Sequence, residues 1–252
     1  MGLPPPAEER LELIVTEIDQ APMVLIPAGP FLYGSREDDK IAHSDEKPQR
    51  VIDLPDFYMD QYPVTNQHYA EFLNTAQPSK NLFEKWIDLS GKFRKEKSRI
   101  NLRKDQFHID TGYENHPVIY VSWHGAGAYA KWAGKRLPTE QEWEKAARGT
   151  DGRIYPWGNT FDKNLCNTKG AGPEYTTPVD QYPAGKSPFG CRDLAGNVWE
   201  WTDSWYDDDE KYKVLRGGSW LAAAQDCRCA ARNYNRPYYR FYFSLGFRCA
   251  RI

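Results

Sequence analysis

The chain has 252 residues, 33 Lys and Arg against 35 Asp and Glu, and a formal net charge of −2. That balance gives no basic footprint for nucleic acid or an anionic membrane surface, and no run approaches the roughly 18 apolar residues of a membrane span, so neither is expected as a partner. Nine Trp and sixteen Tyr beside nineteen Gly and eighteen Pro describe a loop-rich fold held by large side chains.

Residues 1–21 read as a lead-in, with "AEERLELIVTEI" as a short amphipathic helix or simply part of that lead-in. "MVLIPAGPFLYGS" (23–35) gives two short strands around a Pro-Ala-Gly turn. Residues 49–74 give a strand and then a helix that Thr65 caps, with Tyr69, Phe72 and Leu73 on one face. The basic and polar segment 75–115 reads as an extended or hairpin-bearing insertion. Its positive charges mix with Glu96, Asp105 and Asp110, as on a solvated surface. In "VSWHGAGAYAKWAG", Ala126, Tyr129, Ala130 and Ala133 fall at helical spacing and Gly134 is the stop. "RLPTEQEWEKAARG" carries a Thr139/Glu142 capping box, a buried face of Trp143, Ala146 and Ala147, and Gly149 at its end. Beyond it lie short strands and turns.

No linker composition or repeat divides residues 22–252, which read as one domain. Trp143, Trp157, Trp199, Trp201 and Trp220 are expected in the core. The histidines (His43, His68, His108, His116, His124) show no metal-ligand spacing. Five cysteines (Cys166, Cys191, Cys227, Cys229, Cys249) and a start lacking a basic region and cleavage site predict reduced thiols and a cytoplasmic location.

The ordered motifs "MVLIPAGPFLYGS", "YPVTNQHYAEFL", "HPVIYVSWHGAGAYAKWAGKRLPTEQEWEKAARG", "YPWGN", "DLAGNVWEW", "VLRGGSW" and "LGFRCA" resemble the formylglycine-generating-enzyme, or sulfatase-modifying factor, family. The resemblance implies an α+β, C-type-lectin-like fold with two main helices, small antiparallel sheets and much irregular structure. Enzymes of the family resemble "GGSYLCxxxxC" where this chain reads "GGSWLAAAQDC". Cys227 falls on the second copper(I) cysteine, but Ala222 stands on the first, so the two-thiolate site is incomplete. A branch that joins sulfur to histidine derivatives uses an added N-terminal helical domain, and only about twenty residues precede the family region here. The chain is therefore expected to be no enzyme and to require no cofactor, the alternative being a divergent oxidase or related sulfur-chemistry enzyme.

The tail "NYNRPYYRFYFS" (233–244) resembles the variable proteins of diversity-generating retroelements, whose last segment is rewritten at template adenines, often in asparagine codons. Lys, Glu, Gln, Met and Trp are out of reach of such rewriting, and the stretch contains none of them. Positions that read as fixed (Cys227, Arg228, Arg232, Pro237, Arg240) alternate with interchangeable ones. The candidate variable, ligand-binding positions are Leu221, Ala222, Ala223, Cys229, Ala231, Tyr234, Arg236, Tyr238, Tyr239, Phe241, Tyr242, Phe243 and Ser244. Tyr and Phe supply contact area at low rotamer cost, and consecutive rings cannot all point inward from one strand. The expectation is an exposed aromatic surface that binds a protein or other macromolecule.

"RDLAGNVWEW" resembles the family's second calcium site, which implies side-chain oxygens from Asp193 and Glu200 with the carbonyls of Gly196 and Val198 around a structural calcium. The alternative is that Glu200 pairs with an arginine while Asn197 caps a turn.

Overall fold

The computed structural model describes residues 12–91, 97–240 and 242–252. In chain order its elements are β1 (Leu13–Val15), β2 (Pro22–Ile26), β3 (Gly29–Tyr33), β4 (Arg50–Leu54), β5 (Phe57–Asp60), α1 (Asn66–Ala76), α2 (Lys80–Trp86), β6 (Ile100–Arg103), β7 (Gln106–Ile109), α3 (Trp123–Trp132), α4 (Glu140–Arg148), β8 (Trp199–Trp205), β9 (Lys213–Arg216), β10 (Arg232–Asn235), β11 (Leu245–Phe247) and β12 (Ala250–Arg251). Three helices begin at side-chain caps: Thr65, Ser122 and Thr139 accept from the backbone N–H groups of His68, Gly125 and Glu142. Thr139 and Glu142 form the expected reciprocal capping box.

The sheets are small. One runs β1-β2-β5-β12, a second β10-β9-β8-β11, and two hairpins pair β3 with β4 and β6 with β7. This is the expected α+β architecture. β11 lies parallel to β8, with Leu245 opposite Trp199, so the chain end runs through the interior. Tyr69 of α1 stacks on Tyr129 of α3 at 5.9 Å, and Tyr129 meets the Phe247 edge at 5.4 Å. On the other side α4 lays Trp143, Ala146 and Ala147 against Val24 of β2 and Phe57 and Met59 of β5.

Two local expectations change. The described part of "LELIVTEI" is a strand, β1, not a helix, because Leu13–Val15 closes the open edge of β2. Segment 75–115 does hold a hairpin, Ile100–Ile109, but also the short helix α2, whose Phe83 packs on Phe107 of that hairpin at 5.3 Å.

Candidate ligand-binding surface

Three arginines fix the path of the tail before any exposed side chain is considered. Arg216 donates from Nη1 to the carbonyls of Ala230 and Ala231, 2.8 Å each, and pairs through Nη2 with buried Glu144. Arg228 meets both oxygens of Glu46 at 2.7 Å. Burial raises the Glu46 carboxyl, but Arg228 outweighs it and holds the group below its ordinary value. Arg232 forks onto Glu140 at 2.9 and 3.1 Å and reaches the Asp45 carbonyl at 3.0 Å. The turn before this segment needs glycine at 218: φ is +76°, and a Cβ would lie 2.4 Å from Cys227 Sγ. Partners far away in sequence therefore hold the backbone of 227–232, leaving neighbouring side chains free to differ.

A cleft of about 530 Å³ opens above this frame. Buried Trp199 and Ser219 lie in its lining, with Tyr206, Tyr242, Leu221 and Asn233. The chain turn at 43–45 closes it, since His43, Ser44 and Asp45 also line it. Tyr206 Oη donates to Asp45 Oδ2 at 2.9 Å. Burial and that bond push the phenol up to about 12, so it stays a donor. Beside the cleft, Tyr234 lies against Tyr206 with ring centroids 4.3 Å apart and against Tyr212 at 5.1 Å. Arg236 Nη1 donates to Tyr238 Oη at 2.6 Å. Tyr234 and Tyr238 are 46% and 54% exposed.

The sulfatase-modifying factor enzyme 1-like domain matches residues 13–252. The chain belongs to that family. Among curated relatives it is 38% identical to the serine/threonine-protein kinase pkn1 of Chlamydia caviae, covering 97% of this chain but 40% of the relative. The chain thus spans less than half the length of that relative. It is 32% identical to the formylglycine-generating enzyme of Mus musculus over 90% of this chain and 74% of the enzyme, and 34% identical to the mouse inactive C-alpha-formylglycine-generating enzyme 2 over 90% and 85%. Among solved structures, PvdO from Pseudomonas aeruginosa superposes with a TM-score of 0.74 (24% identity, 95% of this chain, 97% of that one) and Treponema denticola variable protein 1 with 0.70 (19%, 96% and 98%). The sulfatase-modifying-factor-like chain therefore carries the expected C-type-lectin-like fold of the formylglycine-generating-enzyme type.

Within that family frame, the two positions that the resemblance sets against the copper(I) cysteines hold one thiol and one methyl group. Cys227 is fully buried and packs with Ala195 and Ala222; burial pushes its thiol well above the ordinary value. Cys229 cannot replace the missing ligand, because it belongs to a different core cluster, with Trp143 and Phe57. Of the calcium set, Glu200 takes its arginine-paired alternative: its carboxylate receives Arg248 Nε at 2.7 Å, Arg248 Nη2 at 2.8 Å and Trp143 Nε1 at 2.7 Å. Asp193 accepts from Asn197 at 2.9 Å, and its carboxyl is pushed up to about 7 by burial. Gly196 sits in the same turn at φ +86°, followed by buried Val198. With the charge of Glu200 already met by Arg248, these four residues do not fit a calcium ion as arranged.

Of the thirteen candidate positions, Leu221, Ala223, Tyr234, Arg236 and Tyr238 are exposed, and Tyr239 and Tyr242 are half-buried. Ala222 is buried but lines the cleft. Phe241 lies outside the described residues. Four expectations are corrected: Cys229, Ala231, Phe243 and Ser244 are buried and out of reach of a ligand. Cys229 packs in the core with Trp143 and Phe57, and the Ala231 carbonyl is held by buried Arg216; Phe243 and Ser244 are buried because the tail there enters β11. Phe243 packs on Trp220 at 5.6 Å, and the Ser244 carbonyl accepts from Trp199 N–H at 2.8 Å. Trp157 is half-buried rather than core, stacked on Tyr155 at 5.5 Å.

Sequence reasoning missed His43, Asp45 and Tyr206. The signal for Tyr206 was the mixed aromatic and acidic run "WYDDDEKY". Nothing in the local pattern at 43–45 pointed to a cleft nearly two hundred residues downstream. Among the described residues, no helix is long and apolar enough to cross a membrane.

Proposed function

We propose that this chain is a non-catalytic binding protein whose C-terminal segment is diversified by a retroelement, gripping a macromolecular ligand with the cleft and the tyrosine-rich strip beside it. The observation that carries the reading is the contrast within one segment. The backbone of 227–232 is pinned by Arg216, Arg228 and Arg232, while Leu221, Ala223, Tyr234, Arg236 and Tyr238 face solvent. A pre-formed aromatic surface pays little ordering entropy on binding. Its candidate contact positions are Leu221, Ala222, Ala223, Tyr234, Arg236, Tyr238, Tyr239 and Tyr242. The likeness to Treponema denticola variable protein 1 supports this only through the shared fold.

The second reading is a divergent formylglycine-generating oxidase, favoured by 32% identity to the mouse enzyme. Against it stand Ala222 and the buried, unpartnered-by-thiol Cys227. The kinase name belongs to a relative more than twice as long. Two measurements test the proposal. Sequencing the surrounding locus should find a reverse transcriptase and a near-copy of the tail differing at adenines. Copper(I) titration should show no tight stoichiometric binding; tight binding with thiol oxidation would establish the oxidase instead.

A further inference from the structure

We propose that the cleft is built for a cationic side chain, lysine or arginine, presented by a protein or peptide ligand; this rests on the binding reading above. Among the described residues lining the cleft, the carboxylates are Asp45 and Asp226, and Arg232 is the one Lys or Arg. Arg232 is already engaged. Its fork is spent on Glu140 at 2.9 and 3.1 Å, and it stands 4.0 Å from Asp45 Oδ2. With the Arg232 charge met by Glu140 outside the lining, Asp45 and Asp226 give the cleft its negative sign.

The walls suit the rest of such a side chain. Tyr206, Tyr242 and Trp199 line the same space, and aromatic faces hold both an alkyl stem and a cation. Asp45 is presented rather than free to swing, because Tyr206 donates to one of its oxygens. Directly after Tyr206 the chain carries Asp207, Asp208, Asp209 and Glu210 against Lys211; Asp208, Asp209, Glu210 and Lys211 are exposed, and Lys211 pairs with Asp209 at 2.6 Å. A cleft of net negative charge steers cations in and disfavours anions. The exposed cation of the strip, Arg236, lies over Tyr212 and Tyr238 and is not among the lining residues.

The probes are N-acetyl-arginine methylamide, its neutral isostere N-acetyl-citrulline methylamide, N-acetyl-glutamate methylamide and a methyl hexoside, titrated into the whole chain while the Trp199 and Tyr206 resonances are followed by NMR. The arginine amide should shift both, bind at least about tenfold more tightly than the citrulline amide, and weaken several-fold between about 20 and 500 mM salt. Asp45→Asn and Asp226→Asn should each weaken it, while Asp45→Asn keeps an acceptor for Tyr206 and so a folded site. Equal binding of arginine and citrulline amides at these resonances, or preference for the hexoside, overturns the cationic occupant and leaves the binding cleft standing. Silence of Trp199 and Tyr206 toward all four probes overturns both.

Discussion

Arg232 and Glu140 meet through two nitrogens and two oxygens, at 2.9 and 3.1 Å, although 92 residues separate them. Glu140 is the first residue of α4, so the pair ties the strand that opens the tyrosine strip to the most strongly capped helix of the fold. Arg228 with Glu46 and Arg216 with Glu144 repeat the device on either side. Such buried pairs add little over apolar residues of equal size, but losing one partner is costly because the other charge is stranded.

Replacing Glu140 by Gln should lower stability by about 1.5 to 3 kcal/mol, the loss of a charged hydrogen-bond pair, since half-buried Arg232 keeps the Asp45 carbonyl, and Arg232→Lys should be nearly as costly, since an ammonium cannot reproduce the fork. Urea melts of both variants beside the parent check this. A change within about 0.5 kcal/mol for Glu140→Gln would mean that the pair does not hold the tail.

Tyr234→Ala and Tyr238→Ala should each leave the melting temperature nearly unchanged, as surface truncations. Phe243→Ala should cost about 3 to 5 kcal/mol, because the ring packs on Trp220 inside the core. Calorimetry on the three variants separates the solvent-facing rings from the structural one.

A chelator such as EGTA should leave the melting temperature where it was, since the positive charge beside Glu200 comes from Arg248. Glu200→Gln should instead destabilise by about 3 to 5 kcal/mol, leaving Arg248 buried without its counter-ion. A chelator-induced fall in melting temperature, reversed by calcium, would restore the ion to this turn.

Lys145 gives a pH signature. Its ammonium donates to the carbonyls of Pro27 and Gly29 at 2.6 and 2.8 Å, and burial pushes it down to about 8. Between about 8 and the ordinary lysine value near 10.4, the unfolded chain holds a proton that the folded chain has shed, so this group makes stability rise with pH. Below about 8 both states are protonated and the burial cost is at its full size. Denaturant melts at about pH 7, 8.5 and 10 should show the parent gaining on Lys145→Met as pH rises; a constant gap would place the titration elsewhere.

Much of the frame was legible because its causes are local. The Thr65 and Thr139 caps and the apolar faces of α1, α3 and α4 each follow from neighbouring residues, whereas in segment 75–115 neither the bounds of the Ile100–Ile109 hairpin nor α2 could be read. Seven separated motifs in order carried the family. The missing thiolate could also be read from Ala222 alone.

What tertiary structure alone decided was the direction of each tail ring. Tyr238 and Phe243 are both aromatic and five residues apart, yet one is 54% exposed and the other 4%. Composition cannot separate them, because the difference arises where the tail turns to run parallel with β8, a pairing to a strand some forty residues earlier. The cleft has the same origin. It joins 43–45 to 219–242, and the charges that line it lie far apart in sequence until buried ion pairs bring those segments together.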